Sequence, residues 1–138
     1  MNAEIEEYFY LLREVCRADD SSLGTAYRQL RELLEHLCRT QMTDSSLQMT
    51  DLAARINFVS SKLGLTVVEQ NRLHTFRLAS NAVLNRQAEP SREKLLRDAK
   101  TVSFFVKRIT GEDIPADLYR LFPQADATYI AACLLYTS

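Results

Sequence analysis

Thr66-Val67-Val68-Glu69-Gln70-Asn71-Arg72-Leu73-His74-Thr75-Phe76-Arg77-Leu78-Ala79-Ser80-Asn81-Ala82-Val83-Leu84-Asn85 is the stretch that decides the fold. Its opening four residues have the form of a capping box, in which Thr66 and Glu69 satisfy each other's orphan amides. Leu73, Phe76, Ala79, Ala82 and Val83 then recur at helical spacing. The pattern predicts one helix from Thr66 to about Asn85 with those five residues in a core. Through its apolar side run Arg77, Ser80, Asn81 and Asn85. The i, i+4 spacing sets Arg77 beside Asn81 and Asn81 beside Asn85, a single polar stripe. Either this stripe faces water or it meets partners inside the bundle, where an unpaired polar group costs roughly 1–3 kcal/mol.

Towards the N-terminus, Leu63-Gly64-Leu65 reads as the stop of a preceding helix, with Gly64 tolerating positive φ. That helix starts near Thr50 or Asp51 and carries Leu52, Ile56, Val59 and Leu63 on one face. Thr43-Asp44-Ser45-Ser46 is a polar loop before it. A second helix runs back from about Met42 through Cys38, Leu37, Leu34, Leu30, Tyr27 and Leu23, with Gly24 weakening only its first turn. Asp19-Asp20-Ser21-Ser22 is a break rich in N-capping residues. The first helix occupies about Ala3 to Arg17 and is striped by Ile5, Tyr8, Phe9, Leu12, Val15 and Cys16.

Towards the C-terminus, Glu89-Pro90-Ser91 separates the helix from a fifth one, about Ser91 to Thr110. It buries Leu95, Ala99, Val102, Phe105, Val106 and Ile109, and Gly111 caps it. Ile114 to Pro123 holds one short helix between prolines, placed either to dock on the bundle or to lead onward. Only three glycines and three prolines interrupt 138 residues, and no strand-like alternation flanked by turn signals is present. The expected architecture is all-α, an antiparallel bundle of about five helices over residues 1–111, followed by a short helix and linker over 112–132.

Composition narrows the function classes. The net charge is −1, but it is distributed in blocks. Residues 1–65 carry seven Lys/Arg against ten Asp/Glu, residues 66–111 nine against four, and the rest one against four. The basic middle block fits a solvated helix surface as well as a phosphate footprint. The start is acidic where a signal peptide is basic and then apolar, and no apolar run reaches the ~20 residues of a membrane span. A cytoplasmic chain without a membrane partner is expected. Cys16 and Cys38 lack metal spacing and read as buried, reduced thiols. His36 and Cys38, two apart, point to different helix faces. His74 has no acidic or histidine partner at i±3 or i±4. Neither histidine makes a metal site, so no metal and no cofactor is expected. No phosphate-cradling glycine loop and no nucleophile elbow exists. The adjacent carboxylates Glu6-Glu7 and Asp19-Asp20 sit at helix ends, where they complement the helix dipole.

With those residues in view, the chain resembles the bacterial HEPN-type domains of unknown function found beside type I restriction subunits and helicases. Their signature reads Arg-x-x-Gly-Asn-x-x-x-His near the end of a helix. Here Arg77 matches the arginine, Ser80 stands for the glycine, Asn81 matches the asparagine and Asn85 occupies the histidine place. A second feature, arginine, two residues, then Leu-Glu, appears as Arg31-Glu32-Leu33-Leu34-Glu35. A third runs from Ile56 to Leu63-Gly64-Leu65. Together these span about residues 23–110. The resemblance implies a HEPN-like bundle that often forms dimers through its polar helix. It also implies, in active members, an arginine steadying the scissile phosphate and a histidine moving the proton of the RNA 2′-hydroxyl. An Asn85 carboxamide only donates and accepts hydrogen bonds and does not exchange protons near neutrality.

The resulting expectation is a non-catalytic interaction or regulatory module of a larger helicase, ATPase or restriction-type protein, with Arg77 and Arg86 as nucleic-acid contacts. Two alternatives stay open. One is a metal-independent HEPN-type ribonuclease or toxin drawing on Arg77, Asn81 and Asn85. The other is a homodimerisation bundle with the stripe as its specificity device. The last six residues, Cys133-Leu134-Leu135-Tyr136-Thr137-Ser138, are what TGT-CTC-TTA-TAC-ACA-TCT encodes, DNA that resembles a transposase mosaic end used as a sequencing adapter. Read so, residues 133–138 are not native and the natural chain continues past Ala132 into a downstream domain. The competing reading is a genuine apolar C-terminal strand or helix end.

Overall fold

A computed structural model describes residues 2–43 and 50–123. Those residues form an all-α bundle: α1 (Ala3–Cys16), α2 (Leu23–Thr40), α3 (Leu52–Leu63), α4 (Val67–Leu84), α5 (Arg92–Thr110) and the short α6 (Ala116–Tyr119). A single 3₁₀ turn, Asp20–Ser22, leads into α2. The expected adapter-derived residues 133–138 and residues 124–132 of the expected linker lie outside the described residues.

Each start has a local cause. Asn2, Asp51 and Ser91 accept from the amides of Ile5, Ala54 and Lys94, and the Thr66–Glu69 capping box closes in both directions. Gly64 and Gly111 end α3 and α5 in the left-handed region, at φ 67° and 78°. Long-range cations then cover the carbonyl ends. Arg92 of α5 donates to Ala18 and Cys16 at the end of α1. Lys62 of α3 donates to Gln41 beyond α2 at 2.6 Å. Arg108 of α5 donates to Leu63 and Gly64 at 3.0 and 3.2 Å. Each places positive charge on the negative end of another helix's dipole, so the termini are tied together as they are satisfied.

Helix α2 is the hub and packs against α1, α3, α4 and α5. Its Tyr27, Leu30, Leu34, Leu37 and Cys38 are fully buried, as the heptad-like spacing of the sequence predicts. Around it close Phe9 and Leu12 of α1, Ile56 and Val59 of α3, Leu73 and Phe76 of α4, and Leu95, Ala99, Val102 and Val106 of α5. Burying one such side chain stabilises by roughly 1.5–3 kcal/mol before entropy is counted. The short α6 docks on this body: Leu118 and Phe122 are buried, and Asp117 receives Arg13 of α1 through two hydrogen bonds of 2.6 and 3.0 Å.

Two placements differ from the sequence reading. Ala79, Ala82 and Val83 of α4 are only half-buried, whereas Ser80 is fully buried. The inward line of α4 is Leu73–Phe76–Ser80. A serine takes the third place because its hydroxyl is satisfied there, as the next section describes.

Candidate functional site

The α4 residues Arg77, Ser80, Asn81 and Asn85 do not form one solvent-facing stripe. Ser80 turns inward to α2, Arg77 bonds to His74 on its own helix, and Asn81 and Asn85 bond to no described residue. Arg77 is half-buried, and its Nε donates to His74 Nδ1 at 3.2 Å, one turn back on the same helix. The other ring nitrogen, His74 Nε2, lies 2.7 Å from Asn57 Oδ1 on α3, an oxygen that also accepts from Gln70 Nε2 at 2.7 Å. Since Nδ1 accepts from a guanidinium, the imidazole proton belongs on Nε2 and is donated to Asn57. Burial, then the Arg77 charge, hold His74 below its ordinary value of 6.5. At neutral pH the ring is therefore uncharged with both nitrogens engaged.

Ser80 points inward. Its Oγ donates to the Arg77 carbonyl at 2.9 Å and accepts from Arg31 Nη1 of α2 at 2.8 Å. The same Nη1 reaches the Arg77 carbonyl at 3.4 Å, while Arg31 Nε pairs with Glu35 Oε1 at 3.1 Å. Arg31-x-x-Leu34-Glu35 and Arg77-x-x-Ser80, read separately in the sequence, thus meet across α2 and α4.

Asn81 is half-exposed and Asn85 exposed. Neither side chain hydrogen-bonds to a described residue. Asn85 is the C-cap of α4 rather than a residue within it. Arg86 follows at φ 57°, the one described non-glycine residue with positive φ. Its amide bonds to Val83 O at 3.1 Å and that of Gln87 to Ala82 O at 2.7 Å. This is a Schellman closure with arginine where glycine is the usual choice. Arg86 is exposed, so its side chain is accessible, but its backbone is committed to ending α4.

Two polar features escaped the sequence reading. Tyr8 on α1 donates to Glu4 at 2.8 Å and lies 3.1 Å from His36 Nε2 on α2, joining the first two helices. Burial first, then Glu4, push its phenol up to about 12. The Glu4–Tyr8 spacing is visible in sequence, but the pairing with His36 is tertiary. The second is Asp98 on α5, 8% exposed and without a hydrogen-bond partner or ion pair among the described residues. Burial raises its carboxyl to about 7, against the opposing pull of Arg97 and Lys94. Its signal was the i, i+3, i+4 run Leu95, Asp98, Ala99, in which a carboxylate stands within an apolar stripe.

Chemically, Arg77, Asn81, Asn85 and His74 offer one guanidinium, two carboxamides and an imidazole whose two nitrogens are both engaged. They can hold an anion and donate hydrogen bonds. Asn85 has no proton to exchange near neutrality. Cys16 and Cys38 are free and buried, and burial pushes their thiols up to about 11 and 12, away from nucleophilic use. Among the described residues no three His, Cys, Asp or Glu side chains come together to hold a metal, and no helix is long and apolar enough to cross a membrane. No family model matches the chain, and neither the curated proteins nor the solved structures hold a significant match to it.

Proposed function

We propose that this chain is a non-catalytic interaction module of a nucleic-acid-processing protein of helicase, ATPase or restriction type, built on a HEPN-like bundle. The observation that carries the reading is the pairing of Arg77 with a position, Asn85, that cannot move a proton. The anion-holding half of a HEPN site is present and the acid–base half is absent. Supporting it, two of the three stretches that carry the resemblance lie against each other through Arg31 and Ser80. Incubation of the chain with single-stranded RNA tests the proposal. No cleavage is expected from the chain as it stands. Cleavage that disappears in Arg77→Ala would replace this reading with a ribonuclease.

One observation favours that second reading. His74 stands 3.2 Å from Arg77 and is neutral at pH 7, the state a general base requires. Against it, both ring nitrogens are occupied, and a base that must first leave Asn57 or Arg77 starts at a disadvantage. His74→Ala separates the two: loss of RNA cleavage assigns the base to His74, and an inert wild type leaves the module reading in place.

A further inference from the structure

Away from Arg77, on the other flank of α4, a groove runs between α4 and α5. Its α4 wall is Arg72, Thr75 and Ala79. Its α5 wall is Lys94, Asp98, Thr101, Phe104 and Arg108. Leu65 and Leu73 also line it. Among the described residues six Lys/Arg and three Asp/Glu line it, so the groove holds +3 of the +5 excess of the 66–111 block. Three of those cations are steadied by carboxylates: Arg97 by Glu93 at 3.0 Å, Lys107 by Asp113 at 3.0 Å and Arg108 by Glu69 at 3.8 Å. These pairs hold the rim in place and leave it net positive. Within the rim Phe104 keeps 38% of its surface exposed, and the Asp98 carboxyl, which lines the groove, has no hydrogen-bond partner among the described residues.

We infer that the α4–α5 groove binds single-stranded nucleic acid, with the backbone phosphates on the basic rim, a base stacked on Phe104 and a base-edge N–H donated to Asp98. The inference rests on the nucleic-acid part of the proposed function and moves the contact from the Arg77 ridge to the opposite flank of α4. Three chemistries meet here and one ligand class carries their complements together. Phosphates answer the cations. A base face answers an exposed aromatic ring. An amino or ring N–H answers a carboxyl acceptor that has no donor among the described residues. An acidic amphipathic helix would match the rim and the apolar wall but set carboxylates against Asp98. A basic peptide would match Asp98 but meet the rim. A duplex hides the base faces and edges that Phe104 and Asp98 require. The rim from Lys94 to Lys107 extends about 20 Å at 1.5 Å per residue, room for a few nucleotides.

The test is fluorescence polarisation of the full chain with a fluorescein-labelled 12-nucleotide oligocytidylate. An abasic strand of equal length, a 12-base-pair duplex and an acidic amphipathic peptide serve as comparisons. The single strand is expected to bind best, with log affinity falling against log salt at a slope near −2 to −3, the signature of about three or four phosphate contacts. Phe104→Ala, which removes a partly exposed ring, is expected to weaken the oligocytidylate about tenfold and to leave the abasic strand unchanged. Lys94→Glu is expected to weaken both and to flatten the salt slope. Asp98→Ala is expected to reduce the preference for the oligocytidylate over the abasic strand without abolishing it, since stacking on Phe104 persists. Equal affinity for both strands in the wild type overturns the inference, as does tighter binding of the peptide. Strand binding that survives Phe104→Ala and Lys94→Glu but is lost in Arg77→Glu removes the groove and keeps the nucleic-acid reading. No binding of any strand at low salt removes both.

Discussion

Arg31 on α2 and Ser80 on α4 share a hydrogen bond of 2.8 Å that links the two helices carrying the candidate site. Ser80 is fully buried, and its hydroxyl accepts from the guanidinium while donating to the Arg77 carbonyl. A charge-assisted bond of this kind contributes about 1.5–3 kcal/mol, and a buried donor left alone costs a similar amount. Arg31→Met is therefore expected to lower stability by about 1–2 kcal/mol. Ser80→Ala is expected to lower it by less, because alanine is the better helix former. Urea denaturation of the two single variants and the double variant checks the pairing: a coupling of about 0.5–1.5 kcal/mol is expected, and strict additivity would show that the two groups do not interact in solution.

Arg86 holds φ 57°, a conformation that costs a residue with a Cβ about 1–2 kcal/mol. The Schellman bonds from Gln87 and Arg86 require it there. Arg86→Gly removes the steric term and adds chain entropy to the unfolded state, about 0.5–1 kcal/mol in the other direction. A net gain of about 0.5–1 kcal/mol is expected, read as a higher urea midpoint at constant slope. Arg86→Ala keeps the steric term and should gain nothing. A stabilising alanine variant would mean that the arginine side chain, not the backbone, is the source of the strain.

Asp98 makes stability depend on pH. Its carboxyl titrates near 3.8 when unfolded and at about 7 when buried on α5, so the folded state binds the proton more tightly. The stability associated with that proton is complete below about pH 4 and is lost as pH rises to about 7. Asp98→Asn has no proton to lose. Relative to wild type it should show no such decline and should be more stable at pH 8, by on the order of 1–3 kcal/mol. Chemical denaturation of both proteins at pH 4.5, 6 and 8 measures the difference. Parallel profiles would place the carboxyl in contact with water or with a donor that neutralises the burial.

The sequence made the helices legible because their signals are local. Thr66 with Glu69, Asp51, Ser91, Gly64 and Gly111 mark ends through residues at most four apart, and each is where its spacing placed it. Apolar spacing likewise picked out the inner faces of α1, α2, α3 and α5. It misjudged α4, whose face is mixed. Ala79, Ala82 and Val83 looked like core, and Ser80 was left open between water and the bundle interior, because hydropathy cannot see that Arg31, 49 positions upstream, satisfies the serine. The polar residues of α4 show the same limit. The i, i+4 rule gives adjacency on a helix but not what stands opposite: α2 engages Ser80 and α3 engages His74, while Asn81 and Asn85 bond to no described residue. Asn57, which fixes His74, carries no mark in sequence, and neither does the partnerless setting of Asp98.

The pairing of Arg77 with His74 gives the acid–base question a spectroscopic answer. Burial is the larger cause of the lowered His74 pKa and the Arg77 charge the smaller. With the folded value depressed, the unfolded chain binds the proton more tightly, so this residue's contribution to stability is complete above pH 6.5 and is lost as pH falls through the folded value. In a ¹⁵N-resolved titration the His74 ring is expected as the neutral Nε2–H tautomer at pH 7 and to protonate at a lower pH than a free histidine. Arg77→Gln should move its midpoint upward without restoring 6.5, since burial persists. If the midpoint stays fixed in that variant, the guanidinium does not face the imidazole, and Nδ1 is open to accept a proton. The obstacle to a ribonuclease role for His74 would then be gone, and Asn85 would no longer decide whether the module is inert.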